Sequence, residues 1–296
     1  MATTRDERVG GLTLVGTPIG NLGDLSPRAR EALAAADVVL AEDTRVSGKL
    51  LSACGLRARL ERCDENVIGA RAAGLVERMT AGERIVLVSD AGMPAVADPG
   101  ARLVDACRDA GVPVDVVPGP SAVTCAIAAA GFACERFFFG GFLPRRDGER
   151  DRLLASLRAL PAVLVFYESP HRTVASLAAV ARVFPGRRAV MARELTKLHQ
   201  EVVRAPAPEL AELVAGRELL KGEVVLLIDA PDEQELAAVA DGAGADGAPF
   251  DLDAAIRVGL EAGTPKSALA RELAARCPGR TRGQVYDRIT ELAHDG

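Results

Sequence analysis

Strand-like apolar runs alternate with helix-like runs along most of the chain, and this alternation limits the fold more than any other feature does. The runs are short and rich in Val, Leu and Ile, which is typical of buried strands. Because parallel strands need a crossover connection, usually a helix, the pattern predicts an α/β fold with mostly parallel strands and covering helices. The predicted strands are LTLVGTP (12–18), VVLAED (38–43), IVLVSD (85–90), VDVVPG (114–119), FFFGGF (137–142), VLVFYES (163–169), RAVMARE (188–194) and EVVLLID (223–229).

Helix start and stop signals lie between these strands. Ser26 and Pro27 are residue types preferred at the N-cap and the first position of a helix, which we expect to end near Ala36. Gly111 is a typical residue to close the helix before it. The further predicted helices span 45–53, 101–110, 149–159 and 208–215, and two more begin near Pro120 and at Pro170.

The alternation restarts after residue 135, which predicts two consecutive α/β domains, at 12–125 and 135–230. Residues 229–253 then contain eight Asp and Glu residues and no Lys or Arg. Within them the stretch 231–250 is rich in Ala, Gly and Asp, a composition typical of flexible segments. We therefore predict a flexible, acidic linker at 231–250.

The remaining residues, 251–296, predict a small all-helical domain of three short helices. Apolar residues at helical spacing predict each of the three, and Gly263 should end the first. Thr264 and Pro265 are suited to start the second helix, and TRGQ from Thr281 fits the capping-box pattern for the third. Residues 264–290 contain six Lys and Arg residues against two acidic ones. This arrangement resembles a helix-turn-helix and predicts contact with a polyanion such as RNA; the alternative is a structural or dimerisation role.

Composition argues against several classes of protein. The N-terminal segment has no apolar core of the kind found in signal peptides, and no apolar run reaches the roughly 18 residues of a membrane span. The six cysteines include no CxxC pair. We therefore expect a cytoplasmic protein with reduced thiols, no membrane contact and no bound metal.

Three loops that leave predicted strand ends are rich in Gly, Pro and small polar residues. Parallel α/β sheets bind ligands beyond the carboxyl ends of their strands, where such loops let the backbone approach a ligand closely. The loops contain no basic residue and match no phosphate-binding pattern, so Asp90 suits a neutral or cationic ligand with hydroxyl groups. The loops are TPIGNLGDLS, SDAGMPAVADPG and PGPSA.

Seven motifs in order carry a resemblance to a known family: GTPIGNLGDLSPRA, AEDTR, SDAGMPAVADPG, VVPGPSA, GFLPR, FYESPHR and ARELTKLHQE. Over residues 12–230 the chain resembles the tetrapyrrole (corrin/porphyrin) methylase superfamily. Within it, the motifs are similar to the branch that methylates a cytidine ribose 2′-hydroxyl in the decoding region of 16S rRNA. The resemblance implies S-adenosyl-L-methionine in a cleft between the two α/β domains, a homodimer, and 16S rRNA in the assembled small ribosomal subunit as the partner.

The resemblance also implies which residues contact the methyl donor. Met93 stands where the family usually has Thr, so a backbone contact is expected from this position. The implied cofactor-binding residues are Pro18, Asp90, Met93, Ser121 and Ala122 in the first domain, and Phe166, Tyr167, Ala192, Leu195 and Glu223 in the second.

A ribose hydroxyl is a weak nucleophile, so a general base or a polarising cation is expected near it. Charged residues of three motifs are candidates, and the sequence does not single out one of them, because each could equally form a local ion pair or a cap. Two further arginines, Arg145 and Arg146, suit phosphate contacts. The catalytic candidates are Glu42, Asp43, Arg45, Glu168, Arg193, Glu194 and Lys197, together with His171, Arg172 and His199.

Three alternative functions are open at this stage. The superfamily's shared donor site allows tetrapyrrole C-methylation, or methylation of a protein side chain of the diphthamide type. A non-enzymatic nucleic-acid-binding protein that senses a metabolite is a different class. The basic helical tail and the AEDTR and FYESPHR motifs favour the RNA methyltransferase.

Overall fold

In a computed structural model, the protein is described over residues 10–217, 219–240, 252–261, 264–274 and 281–293. Two five-stranded sheets follow one another along the chain, and a group of helices comes after them. The fold class predicted from the sequence is confirmed: two consecutive α/β units and a C-terminal helical region.

The first sheet is entirely parallel, as the strand–helix alternation predicts. Its order is β3-β2-β4-β1-β5. Ser26 caps the first helix by accepting a hydrogen bond from the Ala29 amide, with Pro27 at the first position, as predicted. The elements are β1 (Gly11–Val15), α1 (Pro27–Ala35), β2 (Val38–Ala41), α2 (Thr44–Ala53), β3 (Leu60–Arg62), α3 (Glu65–Thr80), β4 (Arg84–Val88), α4 (Ala101–Asp109), β5 (Val114–Val117) and α5 (Ala122–Ala130).

The second sheet is mixed, which corrects the prediction of mostly parallel strands. Its order is β6-β7-β10-β8-β9, and only β6 and β7 pair in parallel. The short loop 194–200 lets the chain turn back on itself, whereas a parallel pair needs a connection of a dozen or more residues. The elements are β6 (Phe137–Phe142), α6 (Asp147–Ser156), β7 (Val163–Glu168), α7 (Thr173–Val183), β8 (Arg188–Arg193), β9 (Glu201–Pro206), α8 (Ala207–Ala215) and β10 (Val224–Ile228).

Helix α5 connects the two units. It follows the last strand of the first sheet, but its Val123, Ala126 and Ala130 pack in one cluster with Val165 and Val225 of the second sheet. These small side chains allow a close approach of the helix to the sheet. The relative position of the two sheets is therefore set by a buried contact rather than by a linker.

Part of the predicted flexible linker is helical. Residues Glu233–Ala240 form α9, which the Asp232 carboxylate caps by accepting from the Glu235 amide at 2.7 Å. Glu235 then pairs with the buried Arg187, with Nε and Oε2 2.8 Å apart. The composition suggested flexibility, but this ion pair ties the helix to the second domain. Residues 241–250 of the predicted linker lie outside the described residues.

The predicted C-terminal helices are present as α10 (Leu252–Glu261), α11 (Lys266–Ala274) and α12 (Arg282–Leu292). They share a core built from residues at the predicted helical spacing, and the predicted capping box forms between Thr281 and Gln284. Gly263, expected to stop the first of them, is outside the described residues. The core residues are Leu252, Ile256, Leu269, Ala270, Leu273, Val285 and Ile289.

Three strand ends of the first sheet are held together by direct backbone contact. Gly16 follows β1 and lies so close to Gly119, after β5, that a Cβ on Gly16 would be 2.6 Å from the Gly119 Cα. Thr17 and Gly92 exchange backbone hydrogen bonds of 2.9 and 3.1 Å in an isolated bridge. The Gly119 amide also donates to the Met93 Sδ at 3.3 Å. The loops after β1, β4 and β5 thus form one continuous rim, called here the first-sheet rim.

The rim contact can be tested through the stability of a glycine variant. Gly16→Ala places a methyl group against Gly119 and the Met93 sulfur, and should lower the free energy of unfolding by about 1–3 kcal/mol in urea titrations. The control is Gly74→Ala, an exposed position in α3 with no atom within 4 Å of the added Cβ. Since alanine favours helix, this control should gain about 0.5–1 kcal/mol. Equal stability changes in the two variants would contradict the rim contact.

Candidate active site

A cavity of about 330 Å³ opens between the first-sheet rim and the second domain. Its volume falls in the range of about 300–1,000 Å³ typical of small-molecule sites. One wall is Ile19, two parts of the loop after β4, and the start of α5. The opposite wall is the end of β6, residues 167–170 at the end of β7, and residues 222–225 leading into β10.

The loop after β4 is rigid and presents its backbone to the cavity. The Thr17 hydroxyl donates to the Ser89 carbonyl at 3.2 Å, and the Ser89 hydroxyl donates to the Gly92 carbonyl at 3.2 Å. Ala95 and Ala97 have φ angles of 66° and 58°, which non-glycine residues adopt at a cost of about 1–2 kcal/mol each. Such strain persists only where the surroundings fix the backbone, and it concentrates at functional sites.

On the opposite wall, Glu168 is a buried carboxylate with a full set of partners. It accepts from the Ser169 amide at 2.7 Å and from the Ser176 hydroxyl, and it pairs with Arg172. These contacts hold the turn after β7 in place. Two of the predicted candidates, His171 and His199, are exposed.

Carboxylates make the rim of the cavity acidic. Burial raises the pKa of Asp98 to about 6, and the negative charges of Glu42 and Asp90 add to this rise, while a hydrogen bond from Ser89 opposes it. Burial also raises the pKa of Glu42, with Asp90 the next contributor. On the second wall, burial raises the pKa of Tyr167. This rim attracts cations and holds carboxyl groups that take up protons more readily than ordinary ones.

The residues predicted to bind the methyl donor fall into two groups. Those whose side chains or backbone line the cavity are Met93, Ser121, Ala122, Tyr167 and Glu223. The others lie behind the wall or beside it: Phe166, Ala192 and Leu195 are buried in hydrophobic clusters, while Pro18 and Asp90 belong to the rim loops.

The position of Phe166 follows from the geometry of a strand. Successive side chains point to opposite faces, so Phe166 and Tyr167 cannot both face the cavity. Tyr167 lies in the cluster beneath α5, on the cavity side, whereas the Phe166 ring is fully buried in the core on the other face. Asp90 is exposed, and its Oδ1 accepts from the Asp43 amide at 3.2 Å, which links two loops at the sheet edge.

The three catalytic candidates of the AEDTR motif lie in different environments. Asp43 caps α2 and forms an ion pair with Arg45, and hydrogen bonds from Arg45 hold the pKa of this carboxyl well below its usual range. The Arg45 side chain is 86% exposed. For Glu42, burial and then the negative charge of Asp90 raise the pKa of the carboxyl. Of the three residues, Glu42 is the one whose carboxyl has a raised pKa.

The ARELTKLHQE candidates form an ion-pair cluster at the edge of the cavity. The Lys197 Nζ lies 2.7 Å from Glu194 Oε1 and 3.1 Å from Glu223 Oε2. Glu194 adopts a φ of 52° and accepts from the Glu223 amide at 3.0 Å. Arg193 pairs with Glu201 at 3.1 Å. Through Glu223 this cluster fixes the segment that leads into β10 and forms part of the cavity wall.

Asp98 and Phe142 lie in the wall and were not among the predicted site residues. Asp98 belongs to the SDAGMPAVADPG loop. It is the second aspartate of that Pro- and Gly-rich loop, and this was the sequence feature that could have identified it as a site residue. Phe142 lies at the end of β6 and is 60% exposed. Its orientation depends on a backbone irregularity at the preceding glycines, which the strand pattern did not predict.

The residues present fit a small cation that also carries a carboxylate. The start of α5 lies in the wall, and Ser121, its N-cap, makes no side-chain capping bond. A helix N-terminus favours an anionic group, while the acidic rim of the cavity favours a cationic one. S-adenosylmethionine carries an ammonium, a sulfonium and a carboxylate, and its hydroxyl groups suit the polar backbone of the rim.

The described residues contain neither a membrane-spanning helix nor a group of metal ligands. No helix among them is both long and apolar enough to cross a membrane. Within the same ranges, no three His, Cys, Asp or Glu side chains are grouped so that they could hold a metal ion.

Comparison with known proteins identifies the family. Residues 11–211 match the family model described as Tetrapyrrole (Corrin/Porphyrin) Methylases. A relative from Mesorhizobium japonicum, named Ribosomal RNA small subunit methyltransferase I, is 42% identical over 282 residues, which cover 95% of this chain and 92% of the relative. The chain belongs to the tetrapyrrole methylase family. Within that family it groups with the proteins of this name, the branch that the ordered motifs predict.

Two other similarities are informative. A relative of the same name from Thermotoga maritima is 41% identical over 220 residues. The matched region covers 98% of that relative but only 74% of this chain. A crystal structure of uroporphyrin-III C-methyl transferase from Thermus thermophilus, complexed with S-adenyl homocysteine, has a TM-score of 0.52 at 21% identity and covers 74% of this chain and 97% of that one. Methyltransferases of this family use S-adenosylmethionine, so the predicted cofactor is confirmed.

The raised pKa of Asp98 predicts a pH-dependent stability difference. Between its ordinary value of 3.8 and about 6, the folded state binds more protons than the unfolded state, so unfolding becomes easier as pH rises through this window. Asp98→Asn removes the free-energy cost of ionising this partly buried carboxyl. The free energy of unfolding of the variant should exceed that of the wild type by about 1–2 kcal/mol at pH 7.5, a figure reduced for solvent screening, and should equal it at pH 4.

Urea titrations at the two pH values measure this difference. The matched control is Asp105→Asn, which makes the same substitution at an exposed position of α4 outside the cavity wall. A variant Asp98→Asn that is no more stable than the wild type at pH 7.5 would show that the Asp98 carboxylate is not buried against like charge.

Proposed function

We propose that the protein transfers a methyl group from S-adenosylmethionine to the ribose 2′-hydroxyl of a cytidine in the decoding region of 16S rRNA. The acceptor is the assembled small ribosomal subunit in the cytoplasm. The observation that carries the proposal is the 42% identity, over nearly the whole chain, to a protein named Ribosomal RNA small subunit methyltransferase I. The seven ordered motifs, several of which flank the cavity, agree with it.

The cavity supports a site that works by positioning. S-adenosylmethionine supplies an activated methyl group on a sulfonium. Transfer to oxygen requires the nucleophile to lie about 3 Å from the methyl carbon and in line with the sulfur, so orientation can supply much of the rate. Met93 and Val225 present apolar surface to the cavity, and the start of α5 favours the carboxylate of the donor. These features bind and orient an amino-acid-like cation and exclude water around it.

In this proposal, a carboxylate of the acidic rim accepts the proton of the ribose hydroxyl. Asp98 lines the cavity, and the pKa of this carboxyl, about 6, is closer to the working pH than that of an ordinary aspartate, which makes it a better proton acceptor. Glu42 is the second carboxylate with a raised pKa at this edge. Glu168 is already occupied by three internal contacts and acts as a positioning residue for the turn after β7.

The helical tail is proposed to add affinity for RNA. Lys266, Arg271 and Arg282 are surface cations of the described part of α11 and α12, whereas Arg288 is held by Asp253 and Glu291. Arg288 therefore ties α12 to α10, and the other cations are the ones available for phosphates. The Thermotoga maritima relative, which matches only 74% of this chain, indicates that a quarter of the length is not needed for a protein of that name. In this proposal the tail strengthens binding and takes no part in the chemistry.

The decisive experiment measures transfer of labelled methyl groups from S-adenosylmethionine to small subunits purified from a strain that lacks the modification. We expect label in a cytidine nucleotide whose ribose resists alkaline cleavage. Label found only in a porphyrinoid or in a protein side chain would replace this function with one of the two other methylations. Binding of S-adenosylmethionine without turnover on any of these acceptors would favour a metabolite sensor.

The same assay tests the tail. The triple variant Lys266→Gln, Arg271→Gln, Arg282→Gln should raise KM for small subunits and flatten its dependence on salt, because each phosphate contact contributes about one unit to the salt slope. Its kcat and its affinity for S-adenosylhomocysteine should stay unchanged. The control is Arg57→Gln, an exposed arginine in the loop before β3, the edge strand of the first sheet. An unchanged salt slope in the triple variant would contradict RNA contact by the tail.

A further inference from the structure

Phe142 is an exposed aromatic residue at the mouth of the cavity. Its side chain is 60% exposed, although it lines the cavity and its ring centroid lies 5.6 Å from that of Tyr167, in an edge arrangement. Tyr167 in turn contacts Phe139 at 4.8 Å. The three rings form a small apolar platform, called here the aromatic platform, whose outer member offers a free face. An exposed apolar surface that adjoins a cleft indicates a binding site.

A β-bulge directs Phe142 towards the cavity. Phe139 lies opposite Val165 in the β6–β7 pair, so Gly141 would lie opposite Tyr167 in a regular strand, but the residue found there is Phe142. One extra residue has been inserted, and Gly141 adopts a φ of 64°. Because side chains alternate between faces, the insertion moves Phe142 from the core face to the cavity face.

The neighbouring Gly140 shows why the core face has no room for a side chain here. A Cβ on this residue would lie 2.3 Å from the Phe166 ring. The pair of glycines thus serves two purposes: it lets the core close over Phe166 and it turns the next residue outwards. A bulge that re-aims one side chain beside a cleft is typical of functional sites.

Charge around the aromatic platform indicates what binds there. Arg145 follows Phe142 closely, is exposed, and makes no ion pair or hydrogen bond with any described residue, whereas Arg146 pairs with Glu149 at 3.1 Å. On the facing wall the first-sheet rim carries Asp98, and Glu42, after β2, adds a second negative charge near it. A polyanion is repelled by that rim and attracted to the Phe142 side, so the ligand of the platform combines a planar ring with a phosphate.

We propose that Phe142 stacks on the base of the accepting nucleotide while Arg145 contacts a phosphate next to it. Stacking on an exposed aromatic ring holds a splayed-out nucleotide, and the ribose of that nucleotide then faces the cavity. This assignment rests on the proposed RNA methylation and adds the residues that hold the acceptor. The site then has two parts: the first-sheet rim binds the methyl donor, and the aromatic platform binds the nucleotide.

Steady-state methyl transfer to small subunits from a strain lacking the modification tests the assignment. A stacked base contributes about 5- to 150-fold in affinity, so Phe142→Ala and Phe142→Leu should lower kcat/KM by a factor in this range, mainly through KM. Phe142→Trp keeps a stacking face and should stay within about twofold of the wild type. Affinity for S-adenosylhomocysteine, measured by calorimetry, should be unchanged in all three variants.

The matched control is Phe137→Ala, which removes the exposed phenylalanine at the other end of the same strand and should leave kcat/KM unchanged. Arg145→Gln should also raise KM and reduce its salt dependence, whereas Arg146→Gln should change both less. Thermal melts should show every variant folded, since Phe142 and Phe137 are exposed.

Four outcomes would overturn the assignment. The first is a Phe142→Ala variant as active as the wild type, and the second is full rescue by Phe142→Leu, which would make the residue an apolar filler. The third is weakened binding of S-adenosylhomocysteine by Phe142→Ala, which would place the methyl donor's own adenine on the ring. The fourth is a change in the oligomeric state of Phe142→Ala, measured by light scattering, which would show that a second copy of the chain binds at Phe142. A wild type that does not label small subunits at all removes the proposed function as well, and so the two failures are distinguishable.

Discussion

The close approach of Gly16 to Gly119 is the contact on which the site depends. It brings the ends of β1 and β5 together with backbone touching backbone, and the Thr17–Gly92 bridge adds the end of β4. Only glycine permits this distance, since any Cβ would overlap the facing chain. The consequence is a rim without side-chain bulk, in which carbonyl and amide groups lie at the surface of the cavity. Strain at Ala95 and Ala97 is the cost of that shape.

A second constraint is that the opposite wall comes from a different kind of sheet. The first sheet is parallel and places its loops at one edge, as the strand–crossover–strand order requires. The second is mixed, and it offers the cavity the ends of β6 and β7 and the segment before β10. Helix α5 follows β5 of the first sheet and packs against the second sheet, which ties the two units together. The cavity therefore has a wall of backbone and acid on one side and a wall of aromatic rings and ion pairs on the other.

The sequence predicted the repeating units well and the long-range pairings poorly. Strands such as 85–90 and the capped helix after Ser26 were predictable because their signals are local. The antiparallel strand β9, the short edge strand β3 and helix α3 were not predicted, since β9 alternates exposed and half-buried positions and β3 has only three residues. Helix α9 was taken for a linker because its composition is that of flexible segments, and the Glu235–Arg187 pair that holds it joins residues far apart in sequence.

The same distinction applies to the site. Loops at strand ends could be named from Gly, Pro and Asp, but which side chains enter the cavity depends on strand parity and on bulges. Phe166 and Tyr167 are neighbours in sequence and lie on opposite faces, while Phe142 reaches the cavity face through an inserted glycine. The raised pKa of Asp98 depends on burial first and on the negative charges of other loops second, and neither can be seen in the local sequence.

The most direct test of this account is a crystal structure of the protein with S-adenosylhomocysteine. The account predicts one molecule between the sheets, in contact with the start of α5 at Ser121, the backbone beside Met93 and the segment at Gly222, with the outer face of Phe142 left free. A ligand lodged at any other place, or one bound within the cavity through side chains of the second domain alone, would contradict the claim that the first-sheet rim is the methyl-donor site.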